Sequence, residues 1–192
     1  KAKSYQGIEL TIFHHKTHTQ NVDRMLQGLK AAIDYNTQYF GQYPYKEVNV
    51  IEFPMSEGVF ATIMGNTIPT SERRFISSSN FSAEEFFDPA FKVQAHELTH
   101  HWWGNTLIHG NALGAAMLSE SITDYITLRI YEKEFGKESG NRFKKLQRNR
   151  YLKGRVSEVT NEAPLYLSKS SDVFLSYGKG SLVFNTLAHY LG

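Results

Sequence analysis

His96-Glu97-Leu98-Thr99-His100-His101-Trp102-Trp103-Gly104-Asn105 is the stretch around which the rest of the chain is organised. It lies in a segment that reads as helix from Asp88-Pro89, an N-cap followed by a first-turn proline, to about Asn105. On a helix, two residues four apart sit one turn above each other, so the imidazoles of His96 and His100 reach one ion. Glu97 lies beside them, where its carboxylate can take a proton from a water on that ion. The competing reading is an amphipathic helix with two unrelated histidines. With 8 His in 192 residues, chance supplies roughly 0.02 such His-Glu-x-x-His pentapeptides in a chain of this length.

A catalytic zinc takes three protein ligands and keeps one position open, so another ligand has to follow. After a loop at Gly110–Ala112, a helix is expected from about Leu113 to Phe135, with Gly136 as its stop. It carries Leu118-Ser119-Glu120-Ser121, and a helix–loop–helix of this length can return Glu120 to the two histidines. Asp124 follows four residues later on the same face. A carboxylate there can accept the second ring N–H of a ligand histidine and fix its tautomer; its plainer reading is a solvated helix acid. The predicted centre is one Zn2+ on His96, His100 and Glu120, with Glu97 as general base.

These residues resemble the aminopeptidase-N-like gluzincins, which share His-Glu-x-x-His-x-Trp-x-Gly-Asn. Leu118-Ser119-Glu120 stands where that family has Leu-Asn-Glu. Nineteen residues (120 − 100 − 1) separate His100 from Glu120, where most members have 18. Nineteen followed by Glu-x-x-x-Asp is similar to thermolysin-type gluzincins, so an endopeptidase of that type stays open as an alternative. Tyr177-Gly178-Lys179-Gly180 resembles the family's Tyr-x-Lys-Gly helix start. The resemblance implies that Tyr177 hydrogen-bonds the oxyanion of the tetrahedral intermediate, with Lys179 and Gly180 structural. The family's Gly-x-Met-Glu-Asn strand, whose glutamate binds the substrate α-amine, corresponds to Thr62-Ile63-Met64-Gly65-Asn66, with glycine in the glutamate's place. Met64, Gly65 and Asn66 are expected to meet substrate through backbone pairing, and Glu57 and Glu72 flank the segment as substitute amine anchors. The Trp-Trp-Gly and Leu-Ser-Glu signatures are most similar to a bacterial branch fused to ABC-transporter permease segments. That likeness implies a membrane parent of which this is a soluble peptidase part.

Outward from the motif, Ile8–His14 mixes alternation with β-branched residues and reads as a strand. Val22, Met25, Leu26, Leu29, Ile33 and Phe40 recur at helical spacing from Asn21 to Gly41. A Tyr43-Pro44-Tyr45 turn precedes a strand at Glu47–Phe53, closed by Pro54. Residues 55–82 read as a partly extended, cleft-forming segment with strand-like pieces at Ala61–Met64 and Phe75–Ser77. Further helices are expected at 138–153, which is basic, and at 173–190. Strands first and helices afterwards give an α+β chain. The resemblance makes it a thermolysin-like zincin catalytic domain spanning 1–192, with a mixed strand/helix lobe over 1–88, a mainly helical lobe over 89–192, and zinc between them. The chain opens at Lys1 and stops after an apolar helical pattern, which reads as a domain excised from a longer protein.

Composition sets the outer bounds. Charged residues are 21% and hydrophobic residues 41%, with 21 Lys+Arg against 19 Asp+Glu and no Cys. The near-even charge is spread along the chain and gives no footprint for nucleic acid or anionic membrane. The absence of cysteine excludes thiolate nucleophiles and Cys-ligated zinc. No apolar run approaches the ~20 residues that span a bilayer. The serines of the 71–82 region lack a spaced His–Asp set, so a serine hydrolase is unsupported. His14, His15 and His18 (HHKTH) form a cluster at a strand end, read as exposed loop or as a second metal site. His101 and His109 lie near the motif and are expected to line the site; His189 is expected to be a core residue.

The reading is a zinc-dependent hydrolase of peptide bonds acting on an extended peptide along residues 60–68, most simply an aminopeptidase. A non-catalytic peptide-binding or assembly domain, motivated by Gly65, is the alternative from another class. Retention of a base and an oxyanion donor argues against it. Cellular location is left open beyond the membrane parent that the resemblance implies.

Overall fold

Alternation builds the sheet: Ile8, Leu10 and Ile12 are buried on one side of their strand while Glu9 and Phe13 are exposed on the other. In the computed structural model, which describes residues 1–77, 87–157 and 161–192, four strands lie in the order β1 (Ala2–Tyr5), β2 (Ile8–Phe13), β3 (Glu47–Phe53) and β4 (Thr67–Ser71). β1 is antiparallel to β2, and β2, β3 and β4 run parallel. Gln6 and Gly7, both at positive φ, form the tight β1–β2 turn, the backbone twist that two-residue hairpins favour. Val48, Val50 and Ile68 continue the buried face.

The chain divides into two units, Lys1–His101 and Trp102–Gly192. In the first, α1 (Val22–Phe40) crosses from β2 to β3, the connection that parallel neighbours require. Its apolar stripe buries Val22, Met25, Leu26, Leu29 and Ile33, each large side chain contributing about 1.5–3 kcal/mol. Phe40, expected on the stripe, is exposed in the last turn. After α2 (Glu72–Ile76), α3 (Pro89–Thr99) packs on α1. The two helices approach so closely at Gly28 that a Cβ there would lie 2.4 Å from the Phe91 carbonyl oxygen. This packing explains why the first unit closes after His101 rather than at residue 88.

In the second unit, a π-helical turn at Met117–Ser121 runs into α4 (Ile122–Ser157), which breaks at Gly136, φ +83°. The two helices expected over 113–135 and 138–153 are therefore the two limbs of one broken helix. A second π-helical turn, Phe174–Lys179, opens α5 (Gly180–Leu191). No helix among the described residues is long and apolar enough to cross a membrane.

Several local expectations are corrected. β1 and β4 carry too little alternation to stand out. Ala61 and Met64 make isolated antiparallel bridges to Thr70 and Thr67 rather than a strand. Phe75, expected in a strand-like piece, is buried in the short helix α2. The helix of the central motif ends at Thr99: His101 N–H bonds Leu98 O, tightening the turn, and Gly104 takes φ +122°. His189 is exposed, because α5 buries only Gly180 and Ser181. The expected segment 55–82 lies partly outside the described residues, at 78–82.

Candidate metal centre

α3 begins where Asp88 accepts from the Ala90 and Phe91 N–H groups at 3.1 and 3.0 Å, with Pro89 in the first turn. Arg24 meets the other oxygen of the buried Asp88 at 3.3 Å, tying the start of α3 to α1. Its far end is tied by the Asn36 amide, which donates to Thr99 Oγ1 at 2.9 Å and to Ala32 O. Between them, Gln94 Nε2 donates to Thr70 Oγ1 on β4 at 3.0 Å. Three buried polar ties, each worth about 0.5–1.5 kcal/mol or more when buried, thus fix the helix that carries the histidines. Asn36 sits on the apolar stripe of α1, and that break in the pattern is the only sequence signal of the tie.

On this helix His96 is 4% exposed. Its Nε2 lies 3.1 Å from His100 Nε2, and the two rings stand at 90°. Two nitrogens bound tetrahedrally to one zinc at about 2.0–2.1 Å would stand about 3.3–3.4 Å apart, so the pair fits a shared ion. Glu97, 9% exposed, is buried on the same helix. The next residue, His101, is instead packed edge-on by Tyr43 and Tyr45, ring centroids 4.9 and 5.1 Å away. Burial lowers its pKa. The Tyr43-Pro44-Tyr45 turn therefore backs the motif with aromatic rings.

The second unit carries Glu120 and Tyr177 on its two π-helical turns, a form often found at functional sites, and Asp124 in the first turn of α4. Glu120 is half-buried in Met117–Ser121, and Tyr177 is half-buried in Phe174–Lys179. The turns are joined by one buried bond: Ser121 Oγ, next to Glu120, donates to the carbonyl of Ser176, next to Tyr177, at 2.6 Å. The approach requires Gly180, where a Cβ would lie 2.0 Å from Ser121 Oγ and 2.4 Å from its Cβ. Lys179 pairs with Glu162, which also accepts from Tyr151 OH at 2.8 Å and meets Arg155 at 3.5 Å. Arg150 lies over the Tyr177 ring, 5.0 Å from its centroid. Asp124 is fully buried and accepts from Gln147 Nε2 at 2.5 Å, which replaces the solvated reading.

The three residues expected to meet substrate form a tight turn. Met64 and Thr67 exchange backbone bonds at 2.8 and 3.0 Å around Gly65 and Asn66. Gly65 takes φ +60°, and Asn66 Nδ2 donates to Glu47 at 2.9 Å. An extended substrate cannot pair along a two-residue turn, so Gly65 and Asn66 are unsuited to strand addition. Of the substitute amine anchors, Glu57 is exposed and Glu72 is engaged by the Met55 N–H and His18.

The Peptidase family M1 domain matches residues 24–192, and the chain belongs to that family. No curated protein matches it in sequence. Among solved structures, an M1 zinc metallopeptidase from Deinococcus radiodurans is similar with a TM-score of 0.61 at 18% identity, covering 96% of this chain and 38% of its own length. An aminopeptidase N family protein from Idiomarina loihiensis gives 0.68 at 14% identity, covering 97% and 36%. At these identities the likeness is one of fold: a small sheet plus a helical part. The chain spans well under half the length of either neighbour.

Proposed function

We propose that this chain is the zinc-binding catalytic part of an M1 metallopeptidase, acting on peptides as an aminopeptidase. The observation that carries the reading is the His96–His100 pair, with both Nε2 atoms on one side of a buried, tied-down helix that also carries Glu97. His96, His100 and Glu120 hold the ion, the two imidazoles neutral and the carboxylate charged. When bound, zinc supplies Lewis acidity to the scissile carbonyl and lowers the pKa of a water toward about 7. Glu97 accepts a proton from the attacking water and passes it to the leaving amine. Tyr177 donates to the oxyanion, a bond made more strongly in the transition state than in the ground state. Asp124 is the carboxylate assigned to fix the tautomer of a ligand histidine.

Family membership favours an aminopeptidase and lends no support to the thermolysin-type endopeptidase. The branch fused to permease segments is the finer placement we favour, on the Trp-Trp-Gly and Leu-Ser-Glu signatures. The amine anchor lies away from Gly65, which has no side-chain carboxylate. The test is hydrolysis of paired peptides, one with a free and one with an acetylated N-terminus. Cleavage of the free-amine peptide alone is expected; equal cleavage of both would overturn the exopeptidase reading.

A further inference from the structure

The first unit contains a second cluster of metal-ligating side chains on elements unrelated to the central motif. His18, Glu52 and Glu72 offer one ligand atom each within 4.8 Å of one another, and they line an open cavity of about 580 Å³ with His14, His15 and Phe53. His18 stands between the two carboxylates: its Nδ1 is 2.5 Å from Glu52 Oε1 and its Nε2 is 3.8 Å from Glu72 Oε1. The Glu52 side chain is only 9% exposed and that of His18 20%.

The remaining carboxylate oxygens decide what the cluster is built for. Glu52 Oε2 accepts the His15 backbone N–H at 2.5 Å, and Glu72 Oε2 accepts the Met55 N–H at 3.2 Å. Both Oε1 atoms are thereby held toward one imidazole, and neither carboxylate can turn away without losing a backbone bond. His18 is itself fixed by a turn, its N–H bonding His15 O at 2.9 Å. A protonated His18 would leave this half-buried group with a net charge of −1, whereas a dication brings it to neutrality. Glu52 is placed to accept the Nδ1 proton, leaving the Nε2 lone pair toward Glu72, as in carboxylate–histidine–metal triads. Ligand atoms held tetrahedrally at about 2.0–2.2 Å from one ion stand about 3.3–3.6 Å apart, so the 3.8 Å separation of His18 Nε2 and Glu72 Oε1 closes on an ion with a shift of a few tenths of an ångström.

We propose that His18 and Glu72, with Glu52 fixing the His18 tautomer, form a second divalent-cation site of imidazole–carboxylate type, suited to zinc or a neighbouring first-row dication. With two protein ligands and solvent completing the shell, it binds more weakly than a three-ligand site. The bound ion ties the 14–18 turn and the end of β3 to the start of α2.

The test removes the helix pair and asks what still binds. A His96→Gln/His100→Gln chain is titrated with Zn2+ by calorimetry, and the histidine ring nitrogens are followed by 15N NMR. The expected result is one ion per chain, a shift confined to the His18 resonances, and at least tenfold weaker binding on adding Glu72→Gln. No binding at millimolar zinc, or binding unchanged by Glu72→Gln, would overturn the proposal. Should a variant fail to fold, the native chain serves: a second saturable step with a shift at His18 is expected, and its absence counts against the site. Neither readout uses peptidase activity, so failure here is distinct from failure of the proposed function.

Discussion

At Tyr177 a phenol is held half-buried under Arg150 on a π-helical turn whose neighbouring carbonyl is bonded to Ser121. A donor serving the oxyanion acts on the transition state, so Tyr177→Phe should lower kcat about 10²–10³-fold with little change in KM, measured by steady-state hydrolysis of a free-amine peptide. A parallel rise in KM would point to a binding role instead. His96, His100, Glu97, Glu120 and Tyr177 stand out in the sequence as candidates because their chemistry leaves sequence marks: fixed spacing, a helix start, a short motif. Gly65 and Asn66 were not, because a motif position says nothing of backbone curvature, and Gly65 at φ +60° turns the chain where a strand was expected. His18 was visible only as one of a histidine cluster, since its partners Glu52 and Glu72 come from other elements.

The elements explain why the residues hold their positions. Gly180 lets the start of α5 reach the Glu120 turn, and Gly180→Ala forces Ser121 aside. Overpacking of this kind costs about 1–3 kcal/mol. The variant should therefore melt earlier and lose kcat, while keeping the circular-dichroism signature of the native fold. Glu162 gives a pH prediction for the same region. Burial raises its pKa, but the bonds from Lys179 and Tyr151 and the charges of Lys179 and Arg155 outweigh that and leave it lowered. A lowered carboxylate stabilises the fold fully above its unfolded pKa of about 4.3, and that contribution is lost as pH falls through its folded value. Thermal melts below pH about 4.3 should fall more steeply for the native chain than for Glu162→Gln; identical slopes would show that Glu162 is not the group responsible. The long elements β2, α1, β3 and α3 were readable from period and caps, whereas α2 was not, because a five-residue helix is too short to repeat a 3.6-residue period.

For the whole molecule, the matched family residues 24–192 take in the second unit and most of the first, and the fold reading of strands followed by helices agrees with the neighbours' small sheet and helical part. The division after His101 was hidden in the sequence, because it depends on the α1–α3 packing at Gly28 and Phe91 rather than on any linker composition. Phe91→Ala at that packing should cost about 3–5 kcal/mol in a denaturant melt. The central claim is that Glu97 is the base of a zinc peptidase. Its most direct test measures turnover of a free-amine peptide and zinc content side by side, in the zinc-loaded native chain and in Glu97→Gln. The account predicts equal zinc content with turnover lower by about 10²–10⁴-fold in the variant; equal turnover in the two proteins would contradict it.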